Sequence, residues 1–283
     1  MHASASKVVV DEHVLDDVRS AWRDGAHAEV SNAPIESIEL GAALEAACWG
    51  VGADDRLLAL LETWAQQSPA LHDARQCLGD AGVTRPEDHD APPYEVRRCP
   101  TRAEFEHPKG AGVEWFYFHD RFRRSLVERL KLPSRTAWDI SIALGGMAEN
   151  VVEHAGLGDV PRAVVAYQVT AMQFAFGVAD VGRGVLKSLH DNPRHAEIRT
   201  DAEALAAAVR CGASRRPRGR GHGFEDLLKA LADMEGRWTF RSGASRLVFD
   251  GRGTGARRWS TANTPSMRGF QLSVSAEPAK SHW

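Results

Sequence analysis

The sequence predicts an α/β protein in which helices pack on antiparallel strands as a two-layer α/β sandwich, preceded by a small mixed α/β domain. Three observations support this fold class. Apolar residues at helical spacing follow residue 134, two β-branched runs at hairpin spacing occupy residues 163–178, and a proline-rich segment at residues 84–93 separates the two parts. Helices that alternate with antiparallel strands favour a layered architecture.

The proline-rich segment marks the predicted domain boundary. Residues 84–93 contain three prolines, four charged residues and no aliphatic side chain larger than alanine. This composition is typical of a surface loop or a linker. We therefore divide the chain into an N-terminal mixed α/β domain of unassigned role, residues 1–98, and a second domain, residues 99–283.

Composition and charge limit the class of protein. The 283 residues carry a net charge of -3, which gives no general reason to expect binding to nucleic acid or to an anionic membrane. The four cysteines are scattered without a CxxC pair, so a reduced cytoplasm is the expected location. The N-terminus lacks the features of a signal peptide, and no apolar run is long enough to predict a membrane span.

The second domain is predicted to open its sandwich with a long helix that starts near Ser134, the expected N-cap. Its buried face is predicted from four apolar residues spaced four, three and four apart: Ile140, Leu144, Met147 and Val151. Asn150 and His154 lie one turn apart on a neighbouring face. Both side chains can therefore point into one cavity.

Strands and a further helix complete the predicted domain. Residues 163–169 and 173–178 predict a hairpin, with Asp180 just past its second strand. A helix is expected over residues 224–234. Further strands at 236–240 and 246–249 are expected to turn around Ser242-Gly243, followed by a loop over 251–265 and a last strand at 269–274.

Three segments carry residues suited to a nucleotide. Asp180 can accept a hydrogen bond from the amino group of adenine, which contributes roughly 1.5–3 kcal/mol when the acceptor is charged. Gly182 and Gly184 permit a sharp turn that brings the backbone close to the base. Asn150 offers a neutral oxygen to Mg²⁺, which prefers oxygen ligands and bridges phosphates.

A glycine-rich loop supplies the expected phosphate site. Gly219, Gly221 and Gly223 free backbone N–H groups immediately before a predicted helix, and such helix starts favour phosphate oxygens. Arg220, with neighbouring arginines, adds positive charge. Each glycine motif also occurs singly in ordinary turns and basic loops. Their order along the chain, with the hairpin between them, favours one shared site.

These three segments resemble the N, G1 and G2 boxes of the GHKL family of ATP-binding domains, which includes gyrase-type topoisomerases, heat-shock chaperones, histidine kinases and mismatch-repair ATPases. The resemblance covers about residues 115–275. It implies a sandwich of the GHKL ATPase type that binds ATP and Mg²⁺. It also implies that Asn150 is the magnesium ligand, that Asp180 anchors adenine, and that residues 185–218 form a lid.

Two positions depart from the family pattern. Phe270 follows Gly269 where the family carries threonine, so a hydroxyl group beside the adenine anchor is missing. Gly146 stands four residues before Asn150, where hydrolytic members carry the glutamate that activates water. We therefore expect slow or absent hydrolysis and assign no catalytic residue. A glycine within a helix costs about 1 kcal/mol relative to alanine, and this favours close packing at Gly146.

The leading functional hypothesis is an ATP·Mg²⁺-binding regulator, nearest to stand-alone proteins related to anti-sigma-factor kinases, acting on a protein partner. This likeness implies phosphate transfer to a serine or threonine of the partner, which the glycine at position 146 argues against. The alternative is a non-catalytic nucleotide-gated sensor or assembly module. A topoisomerase-like ATPase is disfavoured because no transducer domain follows the last predicted strand. The sequence leaves homodimer formation open.

Overall fold

A computed structural model describes residues 8–27, 35–79, 92–101, 104, 111–156, 162–211, 213, 222–251 and 258–278. The helices of this part are α1 (Glu12–Arg23), α2 (Leu40–Trp49), α3 (Asp55–Ala65), α4 (Pro69–Leu78), α5 (Ala111–Leu130), α6 (Ser134–His154), α7 (Val185–Leu189), α8 (Asp201–Cys211) and α9 (His222–Ala230). The strands are β1 (Val8–Val10), β2 (Ile35–Ile38), β3 (Tyr94–Arg98), β4 (Ala163–Val169), β5 (Phe174–Asp180), β6 (Met234–Asp250) and β7 (Arg258–Pro278).

A five-stranded sheet forms the centre of the fold, in the order β3-β4-β5-β7-β6. Every neighbouring pair in it is antiparallel. β1 and β2 form a separate parallel pair. The predicted α/β class is confirmed, as is the hairpin of β4 and β5, which pair from Ala163 with Asp180 to Val169 with Phe174.

The large apolar side chains lie on one face of the sheet. Phe174, Phe176 and Val178 of β5 join one hydrophobic core with residues of α5, α6, α8 and α9. The predicted stripe on α6 belongs to this core, since its four apolar residues are all buried. The helix begins one residue earlier than expected, because Pro133 rather than Ser134 occupies the N-cap position.

The small apolar side chains lie on the other face, which the N-terminal helices cover. Val164, Ala166 and Ala179 belong to a second core with residues of α1 to α4. α2 lies very close to the sheet: a Cβ added at Gly177 would lie 2.9 Å from Leu44 Cδ1. The strands are therefore apolar on both faces, as expected for a sheet covered on both sides.

The fold thus has three layers where the sequence predicted two. β3 lies within the predicted N-terminal domain of residues 1–98 but pairs with β4 of the main sheet. The N-terminal segment therefore contributes an edge strand and a complete helical layer to the sandwich. The division into domains 1–98 and 99–283 stays a prediction.

Buried charges hold the N-terminal layer to β6. Arg241 Nη2 lies 2.6 Å from Asp16 Oδ1, and Arg241 Nη1 lies 2.6 Å from Glu45 Oε1. Arg19 Nη1 lies 2.5 Å from the same oxygen of Glu45, and Arg246 pairs with Asp16. We call these five residues the buried ion network. Buried ions are tolerated only when each has a partner of opposite charge.

The predicted hairpin around Ser242-Gly243 is wrong. β6 continues through these residues and pairs along its length with β7, with register shifts on either side of Gly243. Gly243 has a φ of 58°, so it forms a bulge instead of reversing the chain. Residues 258–265, expected to be a loop, belong to β7.

Among the residues that the structure describes, no helix is long and apolar enough to cross a membrane.

Candidate functional site

A cavity opens at the end of β5, on the face of the sheet that carries the large side chains. It is lined by Asn150, Val151, His154, Ala155, Asp180, Gly184, Val185, Ser188, Leu189, Ala208, Ala213, Phe224 and Phe270. Its water-accessible volume is about 80 Å³, several times the roughly 10–15 Å³ that one water molecule needs on this measure. The cavity therefore has room for more than one water molecule.

Asp180, the last residue of β5, lines this cavity and is 2% exposed. Its Oδ1 accepts a hydrogen bond from the backbone N–H of Gly182 at 2.6 Å, and the backbone N–H of Phe270 donates a second one. Burial raises the pKa of Asp180 to about 7, although both hydrogen bonds favour the ionised form. The carboxyl group therefore changes its charge near neutral pH.

The turn after β5 depends on its glycines. A Cβ at Gly182 would lie 2.4 Å from the carbonyl oxygen of Ala155, so only glycine permits this contact with the end of α6. Gly184 has a φ of 79°, a left-handed conformation that favours glycine, and it lines the cavity as the N-cap residue of α7. Gly182 itself lies beside the cavity and contributes its N–H to Asp180.

Asn150 and His154 line the opposite wall from α6, as their spacing predicted. Arg183 ties the β5–α7 turn to this helix: its Nε donates to the carbonyl oxygen of His154 at 3.1 Å, and its Nη2 lies 2.6 Å from Asp191 Oδ2. The described residues hold no cluster of three or more His, Cys, Asp or Glu suited to a metal ion. A cation beside Asn150 would therefore take most of its ligands from phosphate and water.

Two aromatic side chains that the sequence did not assign to the site form its apolar wall. The ring centroids of Phe224 and Phe270 lie 6.0 Å apart in an edge-to-face arrangement, and both residues line the cavity. From the sequence, Phe270 stands out only because it replaces the threonine of the GHKL pattern and so lacks a hydroxyl group. Its position beside Asp180 follows from the pairing of β7 with β5, and the sequence offered no local signal for that pairing.

The glycine-rich loop that the sequence predicts to bind phosphate lies largely outside the described residues. Gly219, Arg220 and Gly221 lie outside the described residues. Gly223 lies in the first turn of α9, which begins at His222, two residues earlier than expected. Because Phe224 follows directly and lines the cavity, the start of this helix lies beside the site.

The expected close packing at Gly146 is wrong. Apart from its chain neighbours and the backbone of its own helix, no described atom lies within 4 Å of the position that a Cβ on Gly146 would take. The neighbouring Gly145 is the one in close contact, since its Cβ would lie 3.0 Å from His119 Cε1. Of the described residues that line the cavity, Asp180 is the only acidic one, and Glu149 and Glu153 do not contribute to its wall.

Comparisons with known proteins do not assign this chain to a family. A scan against models of protein families and a search of curated proteins both find no match to this chain.

Proposed function

We propose that this protein binds ATP with Mg²⁺ and acts as a regulator of a protein partner in the cytoplasm. One observation carries the proposal: Asn150 of α6 lines the same cavity as Asp180, the last residue of β5, and Gly184 of the turn that follows it. These residues are among those that carry the resemblance to GHKL domains. A chance set of turn glycines and surface amides would have no reason to converge on one space.

In this proposal each part of the cavity takes a different part of the nucleotide. The carboxylate of Asp180 accepts the amino group of adenine, and Phe224 and Phe270 offer apolar surface to the ring. Asn150 gives an oxygen to Mg²⁺. The loop that contains Gly219, Arg220, Gly221 and Gly223 binds the phosphates, with the N-terminus of α9 favouring their negative charge.

Calorimetric titration with ATP, ADP and GTP, with and without Mg²⁺, tests the proposal. ATP should bind more tightly than GTP, because guanine presents a carbonyl oxygen to Asp180 instead of an amino group. Asp180→Asn should weaken ATP binding by about 10- to 100-fold, the loss of one charge-assisted hydrogen bond. Asp139→Asn is the matched control, since Asp139 pairs only with Arg135 on the exposed side of α6. Equal affinity for ATP and GTP would contradict the adenine role.

Slow or absent hydrolysis is part of the proposal, because no second carboxylate lines the described part of the cavity. The open space at Gly146 allows a direct test. Gly146→Glu introduces a carboxylate one turn before Asn150, at the position that the GHKL resemblance assigns to the catalytic glutamate. Gly146 itself does not line the cavity, so the longer side chain has to extend along α6 toward Asn150, and it should then raise ATP turnover above that of the natural chain. Gly146→Gln is the control of the same size without a base. Rapid hydrolysis by the natural chain would show that another group activates water.

The absence of a second acid in the described cavity wall also favours the alternative function, a non-catalytic sensor in which ATP gates association. Labelled ATP incubated with candidate partner proteins separates the two. Transfer of label to a serine or threonine would establish a kinase. ATP-dependent binding of the partner without transfer would establish the sensor.

A further inference from the structure

The outward face of α6 carries a stripe that is symmetric about Ile142. Arg135 and Glu149 lie seven residues before and after it, and Trp138 and Gly146 lie four residues before and after it. At 100° per residue, all five positions fall within about 80° of the helix circumference. They therefore form one continuous ridge on one side of the helix, which we call the α6 ridge.

The α6 ridge is exposed and apolar at its centre. Trp138 and Ile142 are each 51% exposed. On α5, Phe116 is 66% exposed and lies one turn before His119, whose ring contacts Gly145. Tyr117, 49% exposed, has its ring 6.2 Å from that of Phe116. The exposed apolar side chains are therefore concentrated on the hairpin of α5 and α6.

The ridge is complementary to itself. A two-fold axis through Ile142 that brings two copies of α6 together antiparallel would place Ile142 against its own counterpart. It would also set the indole of Trp138 over Gly146 of the partner subunit, where no described atom of the chain lies within 4 Å of an added Cβ. At the ends, Arg135 would meet Glu149 of the partner subunit. Antiparallel helices pack at about 8–10 Å when small residues receive large ones.

From this symmetry we propose that the protein forms a homodimer through the α6 ridge. A second copy fits better than an unrelated partner because the basic end, the aromatic residue, the glycine and the acidic end stand at mirrored distances from one residue. Arg135 is 85% exposed, so its pair with Asp139 on the same helix is a weak competitor.

The area of exposed apolar surface sets the expected affinity of the dimer. The exposed parts of Trp138 and Ile142, together with those of Phe116 and Tyr117 beside the ridge on α5, amount to roughly 400–500 Å² of apolar surface per copy, the size of patch that is often functional. Two copies would then bury on the order of 1,000 Å² with their flanking residues, the low end for specific interfaces. We expect a dimer that dissociates on dilution in the micromolar range.

Sedimentation velocity of the full chain, over a range of concentrations and without nucleotide, tests the proposal. Ile142→Glu should shift the equilibrium to monomer, because it brings two like charges together at the axis. Met172→Glu is the matched control: Met172 is also an exposed large apolar residue, 74% exposed, in the β4–β5 turn, and the dimer should persist. A chain that stays monomeric at every concentration would overturn the proposal, as would a dimer that Ile142→Glu leaves intact.

A charge exchange tests the antiparallel register. Arg135→Glu and Glu149→Arg should each weaken the dimer several-fold, because like charges then face each other across the interface. The double variant should recover most of the affinity. Thermal unfolding of each variant separates loss of the dimer from loss of the fold. Additive weakening in the double variant would rule out this register, and with it the proposed interface.

Discussion

The two faces of the central sheet are built in opposite ways. One carries large side chains, such as Phe174 and Phe176, and its helices leave a cavity at the end of β5. The other carries small residues, such as Ala166 and Gly177, and α2 lies almost directly on the strands. This small-residue face also carries the buried ion network. The candidate cavity and the charges that hold the N-terminal layer therefore lie on different sides of one sheet.

The ion network should give the largest loss of stability when one member is removed. Arg241→Ala leaves Asp16 and Glu45 buried without this partner, and it should lower the free energy of unfolding by about 3–5 kcal/mol. Chemical denaturation measures the change. Arg135→Ala, at an exposed ion pair, should change stability by less than about 1 kcal/mol. A small effect at Arg241 would mean that water enters this layer.

Substitutions at two adjacent residues of β5 compare the packing on the two faces of the sheet directly. Phe176→Ala should cost about 3–5 kcal/mol by opening a cavity among the large side chains. Gly177→Ala should cost about 1–3 kcal/mol for the opposite reason, because its Cβ would lie 2.9 Å from Leu44 Cδ1 of α2 and 2.8 Å from the carbonyl oxygen of Leu272. Denaturation midpoints of both variants measure these costs. If Gly177→Ala is neutral, α2 is not held close to the sheet.

Asp180 should make the fold less stable as pH rises. Its pKa is raised to about 7 in the folded protein from an ordinary value of 3.8. The folded state therefore holds a proton that the unfolded chain releases above pH 4, and stability falls between pH 4 and pH 7. Asp180→Asn removes this cost, so it should stabilise the protein at pH 8 by between about 1 and 4 kcal/mol.

The advantage of the asparagine variant should disappear near pH 4. Denaturation of both proteins at pH 4, 6 and 8 provides the check. A constant difference across this range would mean that the Asp180 carboxyl is solvated.

The same titration should control nucleotide affinity. In the proposed binding mode the ionised carboxylate accepts the adenine amino group, so ATP should bind about tenfold more weakly at pH 6 than at pH 8. Calorimetry at the two pH values measures this, with Asp180→Asn as the control. His154 lines the same cavity, and a pH dependence that persists in the variant would point to it. Tighter binding at low pH would mean that the protonated acid pairs with the base.

The two glycines of α6 should give the smallest effect and differ in sign. Gly146→Ala should stabilise the monomer by up to about 1 kcal/mol, since nothing described lies near the new methyl group. Gly145→Ala should gain less or destabilise, because the His119 ring lies 3.0 Å from the new atom. Thermal melts at concentrations below dimer formation compare the two. Equal shifts would show that His119 moves freely.

Local patterns predicted the large-residue face well. The spacing of Ile140, Leu144, Met147 and Val151 identified the buried side of α6, and the β-branched run of β4 identified a strand of the hairpin, because both signals lie within a few residues. The convergence of Asn150, Asp180 and Gly184 followed from the resemblance, which supplied the long-range arrangement. The role of Phe270 could not be predicted in this way, since it depends on β7 lying beside β5.

Features that depend on distant partners were missed. Ser242-Gly243 has a typical turn composition, but the partner of β6 is β7, and pairing along both strands outweighs the local preference for a turn. The small residues of β4 and β5 fit a strand with either face exposed, so they did not indicate the third layer. Close packing at Gly146 was predicted only from the free-energy cost of a glycine within a helix. In the structure the close contact is that of the neighbouring Gly145 with His119.

Successive residues of β6 point to opposite faces, and this alternation has a practical consequence. Arg241 reaches into the buried ion network. The hydroxyl group of the next residue, Ser242, accepts a hydrogen bond from the N–H of Val185 and donates one to the carbonyl oxygen of Gly269, close to the turn that follows Asp180. A shortened chain without its first ninety or so residues would lack Asp16 and Glu45, the buried partners of Arg241 in this strand. Such a fragment would be a poor substitute for the whole protein in ligand screening.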